Sequence, residues 1–276
     1  MIRYRRVLTG FLLAALVAGM AVAQGRRRGF GGFRGVAVKK ATLDDFDGNF
    51  LFCRIAFRNA SDGDGDGWFV DYPRADINLT FRLSELTKTT VTRSAQEGYN
   101  HVVVELTDPL LFHCPFVMMT EPGGAFFDEA EAAQLRDYLL KGGFLWADDF
   151  WADYAFEHWA GQIAKALPSG PYPIVDVPLD HSLFHTVYEV RRIPQIPSIN
   201  FWGRTGRTSE RGVASAEPHV RAILSPDDGH IMVLMTHNTD FGDAFEREGD
   251  DHEYFLHFAP EGYAFGVNAI VYSMTH

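Results

Sequence analysis

Two adjacent acids, Asp148 and Asp149, close the apolar stretch Gly142–Trp151, GGFLWADDFW. The stretch reads as a buried strand running through a sharp turn into a helix, the place where many α/β hydrolytic enzymes carry a Ser or Cys nucleophile. A carboxylate attacks only a reactive electrophile such as an anomeric carbon or a phosphoryl group. It serves more readily as general base, metal ligand or acceptor for sugar hydroxyls. An Asp at the start of a helix also caps free backbone N–H groups and suits the helix dipole, so capping is the alternative role for each acid.

The next polar concentration is THNTDFGDAFE, with His237, Asn238, Asp240 and Asp243. His nitrogen and carboxylate oxygen suit zinc or manganese, so His237, Asp240 and Asp243 are candidate metal ligands together with Asp149, and a divalent metal is the cofactor they would admit. The spacing is that of a loop and matches no tight signature such as H-E-x-x-H. Glu121 leads into Pro122-Gly123-Gly124, and His181 lies in LDHSLF. WFVDYPRADINL supplies Trp68, Tyr72, Asp76 and Asn78, a mixture of aromatic and polar groups of the kind that holds a sugar or peptide, or that packs a loop down. Just upstream, Asp62, Asp64, Asp66 and Gly67 match positions one, three, five and six of a calcium loop, but the bidentate twelfth position falls on Pro73, which leaves a flexible acidic turn.

Short apolar runs alternate with amphipathic ones, the pattern of a parallel sheet with crossover helices. FLFCRIAF (50–57), TTVTR (89–93), PFVMMTE (115–121) and FLWAD (144–148) read as strands. Helices are expected over 77–88, after the Asp128/Glu131 capping pair up to Gly142-Gly143, over 151–167, and from Tyr263 to the end. VRAILSPDDGHIMVLMTHNTD reads as a hairpin turning at Asp227-Asp228-Gly229. In doubly wound sheets the ligand crevice lies outside the carboxyl ends of the strands. If these ends converge, Asp149, His181, His237 and Glu121 share one pocket, with Asp149 as base, His237 or His181 as its partner, and Gly123, Asp148, Phe150, Asn238 and Asp240 beside them.

The blocks WFVDYPRADINLTFRLSELT, FVMMTEPGGAFFDEAEAAQLRDYLLKGGFLWADDFW, LDHSLFH, VLMTHNTDFGDAFE and GVNAIVYSMTH occur in order between about residues 43 and 276. They resemble successive blocks of the bacterial domain of unknown function numbered 4159. That family is similar to trehalose-utilisation-like and class I glutamine-amidotransferase-like folds, which implies an α/β, flavodoxin-like three-layer sandwich with a mostly parallel sheet. Amidotransferases place a Cys on the strand-to-helix turn and pair it with a His. Asp149 stands at about that place here, so the resemblance carries the position of a site and not the amidotransferase mechanism.

Arg3, Arg5 and Arg6 precede an apolar run ending in Ala21-Val22-Ala23, the layout of a secretory signal peptide over 1–23. Export to the periplasm or beyond is expected, with the membrane met only through that signal. Residues 24–42 read as a flexible Gly/Arg-rich leader and 43–276 as one domain. Cleavage takes the basic residues from 25 to 22 against 36 acidic ones, a net charge near -14, which excludes nucleic acid as a partner. Cys53 and Cys114 both sit in apolar runs and read as buried free thiols rather than a bridge, because adjacent regular strands seldom meet disulfide geometry. Three functions fit: binding of a carbohydrate-like or other polar small ligand, hydrolysis or isomerisation of such a ligand, and an interaction module with envelope protein partners.

Overall fold

The computed structural model describes residues 37–94 and 98–276. The signal peptide and most of the leader expected from the sequence lie outside the described residues. The folded body begins at Lys39, four residues earlier than expected. Val103 N–H donates to the Lys39 carbonyl at 2.8 Å and Ala41 N–H to the Val103 carbonyl at 3.1 Å, so this segment lines a sheet edge.

Seven strands form the main sheet: β1 (Phe52–Ala56), β2 (His101–Glu105), β3 (Phe116–Thr120), β4 (Phe144–Phe150), β5 (Ile174–Asp176), β6 (His219–Leu224) and β7 (Ile231–His237). Their order is β2-β1-β3-β4-β7-β6-β5. The pairs β2–β1, β1–β3, β3–β4 and β4–β7 are parallel, and β6 alone runs against its neighbours. The helices are α1 (Arg74–Leu86), α2 (Glu129–Leu140), α3 (Ala152–Ala166), α4 (Ile199–Thr205), α5 (Phe241–Glu246) and α6 (His252–Thr275). Among the described residues no helix is long and apolar enough to cross a membrane.

The central strands are buried along their whole length, as expected of a parallel sheet covered on both faces. Strand alternation divides β4 between two layers. Phe144 and Trp146 join a core with Leu79 of α1, Phe245 of α5 and Phe265 of α6, and the Trp146 ring meets Phe241, Phe245 and Phe265 at 5.6–6.3 Å. Leu145 and Ala147 are equally buried outside that core, as are Leu135 of α2 and Trp159 of α3.

The helix start predicted at Asp128 is present as a reciprocal capping box with Glu131. Other boundaries moved. The edge ladder is β2, built from HVVVE, while the expected strand 89–93 contributes an isolated bridge at Val91 and a two-residue ribbon, Arg93–Ser94 with Gly98–Tyr99. The last helix begins at His252, capped by Asp251, and carries Pro260 inside it.

Cys53 and Cys114 are bridged, which corrects the expectation of free thiols. Cys114 is not on a ladder. It ends a short 3-10 turn, Pro109–His113, just before β3, and from there its Cα lies 6.1 Å from that of Cys53 in β1.

Candidate functional site

The Asp148–Asp149 pair sits on an irregularity in β4. Against β7, Met235 pairs with Ala147 and His237 with Phe150, so β4 fits one more residue than β7 into the same stretch. Asp149 takes up the slack with φ of 59°, in the left-handed region. Neither acid caps α3, contrary to one of the roles allowed by the sequence. The N-cap is Trp151, without a side-chain cap, and the Asp149 Oδ1 accepts from the Trp151 indole N–H at 2.8 Å. Asn238, at the end of β7, serves that terminus instead: its Oδ1 accepts from Ala152 N–H at 2.8 Å.

Asp148 is fully buried and accepts from the Thr236 hydroxyl and from Gly242 N–H, the latter at 2.9 Å. Burial pushes its carboxyl up to about 7 despite these donors. Asp240 caps α5, accepting from Asp243 N–H at 2.7 Å. A fourth acid arrives from the loop before α1. Asp71 has φ of 65°, and its buried Oδ2 has no hydrogen-bond partner. Asp71, Asp149 and Asp240 are 7%, 7% and 2% exposed, so the group is almost wholly buried. Each offers an oxygen within 4.8 Å of the others. Burial first and the neighbouring carboxylates second hold all three carboxyls well above the usual range.

Arg54 of β1 anchors the loop that carries Asp71. This fully buried guanidinium donates to both oxygens of Asp76, to the carbonyls of Trp68 and Val70 at 3.1 and 3.0 Å, and to the Thr120 hydroxyl. Glu121 stands close enough to Asp149 for its charge to act on that acid. Its φ is 51°, and its Oε2 accepts from Gly67 N–H at 2.6 Å. Gly67 has φ of 115°, a conformation in which an L side chain is strained. Burial raises the Glu121 carboxyl to about 7, against the lowering effect of the Gly67 hydrogen bond.

The sequence-predicted residues divide into two groups. Asp148, Asp149, Asp240 and Glu121 come together, and Asp71 joins them. The remaining candidates are committed to the fold. Asp76 neutralises Arg54, and Asn78 donates to the Phe245 carbonyl. Trp68 and Tyr72 pack edge to face, with the Tyr72 hydroxyl on His101. Phe150 stacks on Phe156. A Cβ on Gly123 would meet that of Ala155 at 2.7 Å, so this glycine lets its turn approach α3. Asp243 accepts from Ile199 N–H and pairs with Arg247 at 3.0 Å.

The two histidines require correction. His237 meets the Ala152 carbonyl at 3.0 Å through Nε2 and Arg221 at 3.4 Å through Nδ1, and burial pushes its pKa down to about 4. His181 caps the short turn Ser182–His185 and lies against Tyr272, whose hydroxyl accepts from Ile231 at the amino end of β7. It is therefore at the opposite rim of the sheet from Asp149. Among the described residues no hydrogen bond links Asp149 to either His. The groups of close metal-ligating atoms are Asp71–Asp149–Asp240 and Asp71–Asp243–Glu246, and neither contains His237 or the acids of the 62–66 turn.

Asp71 was missed from the sequence. Its signal is an acid set between Val70 and Tyr72 in an otherwise apolar run, next to residues that were singled out.

No curated protein matches the chain. The family described as a domain of unknown function (DUF4159) matches residues 55–274, a span that contains Asp71, Glu121, Asp148, Asp149 and Asp240. On that match the chain belongs to the DUF4159 family.

Proposed function

We propose that this domain binds a small, polar, donor-rich ligand, carbohydrate-like in its hydroxyl groups, in the acidic crevice at the carboxyl edge of the sheet. One observation carries the reading: the Oδ2 of Asp71 is buried without a donor, in a group of carboxylates that can only accept while ionised. Leaving such an acceptor unmet is costly, and a ligand that brings N–H, O–H or positive charge satisfies it.

The flavodoxin-like, amidotransferase-like assignment belongs to this proposal. The parallel strands β2-β1-β3-β4-β7 follow the 2-1-3-4-5 order of that fold, whose ligands bind at the switch point between the first and third strands. The loop after β1 carries Asp71, and the turn after β3 carries Glu121. Amidotransferase chemistry has no nucleophile here, because both cysteines are bridged. Export is part of the same reading, and the bridge supports it, since disulfides persist in oxidising compartments.

A second reading, acid–base turnover of the bound ligand, is favoured by Glu121. A carboxyl near 7 on the rim of a crevice suits a general acid, with Asp149 as the neighbouring base in place of the expected histidine pair.

Thermal unfolding with a panel of neutral sugars, polyols and amino sugars at millimolar concentration tests the binding proposal. A saturable rise in Tm with at least one class, lost in Asp149→Asn, is expected. A flat response across the panel overturns it. Incubating any stabilising compound with the protein and analysing it by mass spectrometry separates binding from turnover.

A further inference from the structure

We infer that Asp71, Asp149 and Asp240 form a site for a hard divalent cation, with calcium as the ion that fits a set of three buried carboxylates. The site shares the crevice proposed above for a polar ligand but does not depend on that ligand.

Three features of the site lead to this ion. The first is the unpartnered, buried Oδ2 of Asp71. It points into the group: a Cβ on Gly242 would lie 2.2 Å from Asp71 Oδ2 and 3.5 Å from Asp240 Oδ1, so the two acids converge over that glycine. The second is charge. Among the described residues no Lys, Arg or His forms an ion pair with any of the three, and the nearby Arg54 spends its donors on Asp76, two carbonyls and Thr120. Three carboxylates held this deep need either protons or a cation, and a divalent ion removes most of the repulsion at once.

The third is the donor set and its size. All three ligands are carboxylate oxygens, which select calcium, magnesium or manganese over zinc or copper. Calcium binds oxygen at 2.3–2.6 Å, so oxygens on opposite sides of the ion stand about 5 Å apart and the others closer. The three oxygens all lie within 4.8 Å of one another, inside the span of a calcium shell. Magnesium keeps several of its waters and takes one or two carboxylates, so three buried carboxylates suit calcium better. The hydroxyls of a bound polyol can complete the shell of such an ion, which would tie the site to the proposed ligand.

Isothermal titration of calcium chloride into the chelator-stripped full chain, with no carbohydrate present, tests the inference. Saturable binding of one ion is expected, weaker for magnesium. Asp71→Asn and Asp240→Asn should each reduce affinity by at least about tenfold, while Asp64→Asn on the acidic turn should leave it unchanged. Circular dichroism confirms that each variant is folded, and either of the first two suffices if the other is not. Absence of saturable binding overturns the inference. So does full-strength binding by a folded Asp71→Asn or Asp240→Asn variant, or loss of binding in Asp64→Asn. Tighter binding of magnesium than of calcium overturns the assignment of the ion. Because the titration omits sugars, its failure leaves the polar-ligand proposal standing, and the sugar panel run in chelator can fail without touching this one.

Discussion

Asp71 Oδ2 and the backbone of Gly242 approach so closely that a Cβ on Gly242 would lie 2.2 Å from that oxygen. The same glycine donates its N–H to Asp148 at 2.9 Å, so it touches two of the buried acids. Gly242→Ala should therefore destabilise the domain by about 1–3 kcal/mol, because the added methyl has a packed carboxylate and no space in front of it. Urea unfolding measures this. An unchanged midpoint would mean that Asp71 can move aside without cost.

Asp149 is held at positive φ among like charges and caps nothing. Asn tolerates that backbone region better than most residues and keeps an acceptor for the Trp151 indole. Asp149→Asn, compared with wild type in chelator at neutral pH, should be as stable or more stable, by up to about 2 kcal/mol. A loss of about 0.5–2 kcal/mol, the usual cost of removing a helix cap, would contradict the geometry.

The buried carboxyls also set the direction of the pH dependence. Asp148 and Glu121 rise from ordinary values of 3.8 and 4.5 to about 7, and Asp71, Asp149 and Asp240 shift the same way. In that window the native state holds more protons than the unfolded chain. The stability from these groups is full below the unfolded values and is lost as pH rises through about 7, by roughly 1.4 kcal/mol per pH unit for each group within its window. His237 acts in the opposite sense: its stabilisation is present above 6.5 and lost as pH falls through about 4. Above about pH 6.5 only the carboxyls act, so the urea midpoint in chelator should fall from there to about pH 8. Calcium should restore it.

Arg54 links β1 to Asp76 and to the carbonyls that shape the Asp71 loop. Arg54→Met leaves Asp76 buried without its counter-charge, and about 3–5 kcal/mol of stability should be lost. Stability is read by denaturant titration, and a change under about 1 kcal/mol would show that the ion pair is dispensable.

The Cys53–Cys114 bridge closes a separation of 61 residues. Replacing both by Ala should cost about 4 kcal/mol on the loop-entropy account. Equal urea midpoints for the two proteins would mean that this chain is already restrained there when unfolded.

Much of the layered fold was legible because a doubly covered parallel sheet writes itself as uninterrupted apolar runs, as in PFVMM and FLWA. The strand HVVVE was passed over because its neighbour TTVTR has the same β-branched character, and pairing with Lys39–Ala41 and β1 decides between them. The acids at strand ends were visible as a cluster because chain order brings them to one edge. The roles of His181 and His237 were not, since a His side chain is claimed by whichever carbonyl or amide lies within reach, and that is a tertiary fact. Asp71 was hidden for the same reason: Arg54 and Gly242, which hold and receive it, are 17 residues before it and 171 after it.

The disulfide and the acidic crevice belong to opposite rims of one sheet. Cys53 is the second residue of β1 and Cys114 lies just ahead of β3, whereas Asp149 lies in the last residues of β4 and Asp240 follows the far end of β7. One rim is hemmed covalently, and the other is left under electrostatic tension. Changes that retune the acids therefore draw on a reserve of stability lodged some distance away, and the crevice can be re-engineered residue by residue without unpicking the seam that keeps the domain folded.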